Sequence, residues 1–311
     1  MFLIILNLSE MFKKKTLIIN VFVIFLIFIF NSCSFNSLFL HPMTISKNPP
    51  KYAWDLEGKS VIVSIDGDNF QPTFLKENMD TLDMGYTIES VLFENEKGTK
   101  LNGWMIKPKG KVATVTLLHF HGNSAFMGAL FKGMVPLVKK GFQIFMFDYS
   151  GYGHSEGKAT RKNILRDGNA ALTYVRTRPD VKDTKLVIYG QSLGGNLSGV
   201  VGSRRQDEID ALVIEGAFSS HKDVAANYAS IFGRVLVSEK YASAKEIKNF
   251  HKPVLVIHSP QDPVVPFDLG EKIFENANEP KEFMKIDSCH ICGPMKYTDS
   301  IADKINRMLS K

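Results

Sequence analysis

The sequence predicts an α/β domain organised around a mostly parallel sheet, and three observations carry that expectation. Short apolar runs recur along the chain, helical patterns separate most of them, and one run ends abruptly in a glycine-boxed serine, GQSLGG, at 190–195. The runs are VATVTLLHF (112–120), FQIFMFD (142–148), KLVIYG (185–190), ALVIE (211–215), PVLVIHS (253–259) and EFMKID (282–287). Each is too short for a helix and lacks clean polar alternation, which suits strands buried on both faces. Residues 162–176 show the helical pattern between runs, with Ile164, Leu165, Ala170, Leu172 and Val175 apolar. Strand–helix–strand spacing of about 25 to 45 residues implies right-handed crossovers and parallel pairing. TIESVLFEN (87–95) and KLNGWMIKP (100–108) have no helix between them and read as an antiparallel opening hairpin. In sheets of this kind, sites form at the carboxyl ends of the strands.

The N-terminus reads differently. Lys13, Lys14 and Lys15 precede an apolar run over 16–30, broken only by Asn20, and then FNSC places Ser32 before Cys33. Fifteen helical residues cover about 22 Å, short of the ~30 Å hydrocarbon core, which favours a cleaved export signal over a permanent span. The stretch resembles a bacterial lipoprotein signal, in which Cys33 becomes the lipidated first residue; Phe30 departs from the Leu such signals prefer. An uncleaved N-terminal anchor and plain secretion are the competing readings, and Met11 is an alternative start. The expected organisation is a signal over 1–32, a Pro/Asn-rich tether over 33–60 lifting the domain off a membrane, and one domain over 61–311.

Composition narrows the partners. The formal charge is +6, and residues 1–32 hold three Lys and one Glu, so the mature chain carries 6 − 2 = +4. With no run of five or six basic residues left, nucleic-acid binding has no support. Beyond Cys33, the cysteines are Cys289 and Cys292 in CHIC. No second pair of ligands completes a zinc site, so incidental thiols or a local disulfide are expected instead.

GQSLG matches G-x-S-x-G, and its context supplies the specificity: the motif closes a strand and opens a helix whose first turns are small. A serine thrust out on a tight strand-to-helix turn needs glycine two positions away, where any side chain would collide with the turn. Ser192 is therefore the expected nucleophile. A hydroxyl needs a base, and the base needs a third group to fix its tautomer. In this arrangement the chain order is serine, acid, histidine. Asp262 follows a later strand, with Asp268 and Asp287 as neighbouring alternatives, and only His290 lies beyond it. Two main-chain donors should meet the developing oxyanion. One is Leu193, after the nucleophile; the other is Asn123, in the loop HGN after the strand VTLLHF. His119 and His121 are spaced H-x-H, but no partner has matching spacing, so structural roles are expected and no metal. The G-x-G of DYSGYGHSEG (148–157) lacks the rest of a dinucleotide fingerprint and reads as a tight turn.

HFHGN, DYSGYGHSEG, GQSLGG, SPQDPVVPF and SCH, in this order, resemble an α/β-hydrolase, in particular the branch holding monoacylglycerol lipase-like and depalmitoylating membrane-associated serine hydrolases. The resemblance covers roughly residues 87–310. It implies the α/β-hydrolase fold, with a mostly parallel eight-stranded sheet flanked by helices and a short cap at about 219–250, between strands 6 and 7. It implies nucleophile Ser192, acid Asp262, base His290, oxyanion donors Asn123 and Leu193, and no cofactor. SCHIC departs from relatives that carry a small residue before the histidine. Within the cap, Tyr228, Ile231, Phe232, Val235 and Leu236 fall on helical spacing, which suits packing more than substrate contact. The expected activity is hydrolysis of a carboxylic ester or thioester, of an acyl lipid or a small acyl ester, with a lipid anchor as the link to the membrane. A peptidase of the same fold, an inactive membrane-tethered binding protein and a metal-dependent hydrolase are the alternatives. Oligomeric state is not legible.

Overall fold

The computed structural model describes residues 15–16, 19–20, 36–45, 52–56, 59–287 and 289–310; Cys33 and most of the expected signal lie outside the described residues. Among the described residues no helix is long and apolar enough to cross a membrane. The strands are β1 (His41–Pro42), β2 (Tyr52–Leu56), β3 (Lys59–Asp66), β4 (Gln71–Leu75), β5 (Tyr86–Glu94), β6 (Lys100–Pro108), β7 (Val115–Phe120), β8 (Ser124–Ala125), β9 (Gln143–Phe147), β10 (Lys185–Gln191), β11 (Ala211–Glu215), β12 (Val254–His258) and β13 (Lys281–Lys285). The helices are α1 (Asn36–Phe39), α2 (Met127–Lys139), α3 (Arg161–Thr177), α4 (Leu193–Arg204), α5 (His221–Leu236), α6 (Ser243–Glu246), α7 (Phe267–Asn276), α8 (Gly293–Lys296) and α9 (Thr298–Leu309).

Eight strands form the central sheet in the order β13-β12-β11-β10-β7-β9-β6-β5. Every neighbouring pair is parallel except β5–β6 and β6–β9, so the opening hairpin is the antiparallel edge. Successive side chains on one strand enter opposite layers. On β10, Leu186 and Ile188 join the core under α3 and α4, while Val187 and Tyr189 join the core under α2 and α9. Both faces are therefore apolar, which is why the runs show no polar alternation. A fully buried side chain of this kind contributes about 1.5–3 kcal/mol.

The N-terminal expectation needs correction. Residues 36–45 do not behave as a tether: Phe39 and Leu40 are buried in the domain, and β1 pairs in parallel with β8. β2, β3 and β4 form a separate antiparallel sheet that straddles the expected boundary at residue 61, with Val61, Val63 and Phe74 buried and Phe74 against Phe131. In the cap region, Ser220 caps α5 by accepting from the Asp223 N–H. Val235 is 73% exposed, so this member of the expected stripe does not pack inward. The side chains of Tyr228, Ile231, Phe232 and Leu236 lie outside what the structure describes.

Candidate active site

Ser192 stands between β10 and α4 at φ 54°, ψ −116°. This conformation costs a non-glycine residue about 1–3 kcal/mol and persists only where its surroundings over-determine it. They do so here. The Ser192 N–H donates to Glu215 O (2.9 Å), and its carbonyl accepts from the N–H groups of Gly195 and Asn196. A Cβ on Gly194 would lie 2.0 Å from Phe120 O, and one on Gly190 would lie 2.4 Å from Gly194 O. The two glycines let three backbone segments meet beneath the serine.

Asp262 follows β12, as expected. Its Oδ1 accepts from the main-chain N–H groups of Val264 (2.8 Å) and Val265 (2.9 Å), and its Oδ2 accepts from His290 Nδ1 (2.8 Å). His258 Nε2 lies 3.3 Å from the same Oδ2 and 3.0 Å from Val265 O. Burial alone would raise this carboxyl, but hydrogen bonds from His258, His290 and Val265 outweigh it and hold the pKa well below the carboxylate range. With Nδ1–H committed to Asp262, the neutral His290 ring keeps its Nε2 lone pair free. Ser192 and His290 line one cavity of about 630 Å³, with Gly122, Asn123 and Leu193 also on its wall. Among the described residues no hydrogen bond joins Ser192 Oγ to His290 in this conformation. Such bonds are often loose without substrate and tighten when it binds.

The loop with Asn123 approaches the serine closely: a Cβ on Gly122 would lie 3.6 Å from Ser192 Cβ. Tyr149 OH donates to His121 O (3.0 Å) and Tyr152 OH to Asn123 O (2.8 Å), so two phenols fix its peptide planes. Leu193 opens α4, and a first-turn N–H has no acceptor within its own helix.

Three supporting residues escaped the sequence reading. Glu215, fully buried at the end of β11, accepts from Gly293 N–H (2.6 Å), Gln191 Nε2 (2.8 Å) and Tyr189 OH (2.8 Å). Gln191 Oε1 in turn pairs with His119 Nε2 (3.0 Å). His258 is the third. The available signals were weak: Glu215 and His258 are polar ends of oily strands, and Gln191 is a free position of the serine motif. His119 and His121 are held neutral by burial, at about 4 and about 3. Among the described residues no group of His, Cys, Asp and Glu has the arrangement of a metal site. Cys289 and Cys292 form a disulfide across His290, with Cα atoms 5.9 Å apart.

A family model described as alpha/beta hydrolase fold matches residues 115–239. The chain is 36% identical over 220 residues to "Uncharacterized protein YfhR" of Salmonella typhi, covering 65% of this chain and 74% of that protein. It is 32% identical over 171 residues to protein bem46 of Schizosaccharomyces pombe, covering 52% and 56%. Among solved structures it is similar to the Pyrococcus furiosus esterase Pf2001, at TM-score 0.64 and 17% identity, covering 88% and 97%. It is also similar to Est1E from Butyrivibrio proteoclasticus with bound ferulic acid, at TM-score 0.59 and 17% identity, covering 71% and 100%.

Proposed function

The chain belongs to the α/β-hydrolase family, and from that premise we propose that it is a serine hydrolase cleaving carboxylic esters or thioesters through an acyl-enzyme. The observation that carries this reading is the His290–Asp262 hydrogen bond beside a strained Ser192 on one cavity wall. Asp262 orients the ring and favours the imidazolium; Nε2 takes the Ser192 proton as Oγ attacks the acyl carbon. The main-chain N–H groups of Leu193 and Asn123 meet the developing oxyanion. His290 then protonates the leaving group and activates the water that releases the acid. The cavity's volume is in the range of small-molecule sites, and Phe39, Leu130, Phe218 and Val224 give it an apolar wall suited to an acyl chain. A fluorophosphonate probe should label the wild-type chain at Ser192, and Ser192→Ala should lose both label and p-nitrophenyl ester turnover. Labelling that persists in the alanine variant overturns the assignment.

The same proposal sets the enzyme at a membrane surface through lipidated Cys33. Phe39 stands six residues on, a reach of about 20 Å at most, so the cavity wall would sit near the bilayer. Cys33→Ala should shift the protein from the membrane to the soluble fraction; full retention would favour an uncleaved anchor.

A further inference from the structure

We propose that residues 36–45 form a strap that completes the active site: Phe39 as a specificity-determining wall for the acyl group, and His41 as a positioning residue for the loop that carries Asn123. This rests on the ester-hydrolase reading above and adds a part that the serine, acid and histidine do not supply. Phe39 and His41 line the same cavity as Ser192 and His290, although more than 140 residues separate them from the nucleophile in the chain.

The strap is tied down at both ends of that wall. On one side His41 grips Asn123: its main-chain N–H donates to Asn123 Oδ1 (2.9 Å), and its ring Nδ1 lies 3.1 Å from Asn123 Nδ2. Because the main-chain donor identifies Oδ1 as the acceptor, Nδ2 must donate to Nδ1, which leaves the ring proton of neutral His41 on Nε2. The side chain of Asn123 is thus held by His41, and its carbonyl by Tyr152. β1 pairs with β8 at His41–Ser124 and Pro42–Ala125, and Gly153 exchanges main-chain bonds with Met43 O (2.8 Å) and Ile45 N–H (3.0 Å). On the other side the Arg161 guanidinium lies over the Phe39 ring (5.2 Å), the Arg161 main-chain N–H and its Nε donate to Asn36 Oδ1 (3.3 and 3.4 Å), and its Nη1 donates to Ser238 O (2.8 Å) beyond α5. The His221 ring meets Phe39 edge-on at 5.1 Å. The strap therefore joins the oxyanion loop to the cap region and lines the cavity between them. A brace alone would need the bonds to Arg161 and Gly153, but would not need its phenyl ring and its imidazole on the wall where the ester must lie.

The test uses the full chain and p-nitrophenyl esters from acetate to dodecanoate. Phe39→Ala, with Phe39→Leu as the milder replacement, should change the octanoate-to-acetate ratio of kcat/KM by at least about fivefold, mainly through KM. His41→Ala should lower kcat about three- to tenfold on every ester with little change in KM, and His41→Gln, which can again accept from Asn123 Nδ2, should recover most of it. Fluorophosphonate labelling stoichiometry counts the folded sites in each variant, so kcat is expressed per active site. An unchanged chain-length profile in both Phe39 variants, with an unchanged kcat in His41→Ala, overturns the strap's role while wild-type turnover leaves the esterase reading intact. A wild-type chain that hydrolyses none of the esters overturns that reading and this one with it.

Discussion

Two loops flank Ser192, one carrying His290 and the other Asn123, and beside each stands a buried carboxylate, the two with pKa values shifted in opposite directions. Asp262, behind the histidine, collects hydrogen bonds from two main-chain N–H groups and His290, with His258 beside it, and its pKa is held far down. Asp148, at the end of the neighbouring β9, accepts from Met127 N–H at the start of α2, and burial pushes its pKa up to about 7. Burial penalises charge in both places; at Asp262 the hydrogen bonds from His258, His290 and Val265 outweigh it, and at Asp148 those from the main-chain N–H groups of Met127 and His154 do not. The placement matches the chemistry. In the proposed mechanism a fixed negative charge favours the imidazolium forming at His290, whereas a second one under the Asn123 loop would oppose the charge developing on the substrate.

Removing the charge at Asp262 is the strongest way to sharpen the contrast. Asp262→Asn should keep the fold and lower kcat on p-nitrophenyl butyrate by about 10³–10⁴, through loss of the correct tautomer. Glu215→Gln, assayed alongside, should cost about 10–100-fold, because its amide would set a donor against Tyr189 OH, Gln191 or the Gly293 N–H and loosen the histidine loop. A loss under tenfold at Asp262 would break the comparison.

The smaller effect lies at Asp148, and it appears in stability. The folded pKa lies above the ordinary 3.8, so between about pH 4 and 7 the folded chain holds a proton that the unfolded chain has released. Wild-type stability from this group therefore falls as pH rises through that window. Asp148→Asn lacks the term, so denaturant unfolding should show the variant gaining on the wild type by roughly 2–3 kcal/mol between pH 5 and pH 7. His119 and His121, which burial holds neutral, contribute the opposite slope in both proteins; His119 cancels in the difference, while His121, whose Nε2 lies 3.7 Å from Asp148 Oδ1, responds to the substitution and enters the measured change. A pH-independent difference between the two proteins would show that Asp148 is charged in the fold.

By itself the sequence determined the layered sheet and the turn at Ser192, and it singled out His290, the histidine that the structure pairs with Asp262, as the proposed base. These rest on information carried within a few residues or in chain order: strands buried on two faces read as unbroken apolar runs, and a positive φ at a serine demands glycine near it. Tertiary structure alone decided what steadies the site. Glu215 reaches Gly293 across 78 residues and His41 reaches Asn123 across 82. Nothing local marks either residue, because a hydrogen bond between distant segments leaves no periodicity in the chain. Residues 36–45 show the limit most clearly: they belong to the 33–60 stretch whose Pro/Asn-rich SKNPP (46–50) reads as linker, yet their order comes from partners supplied by β8, Gly153 and Arg161.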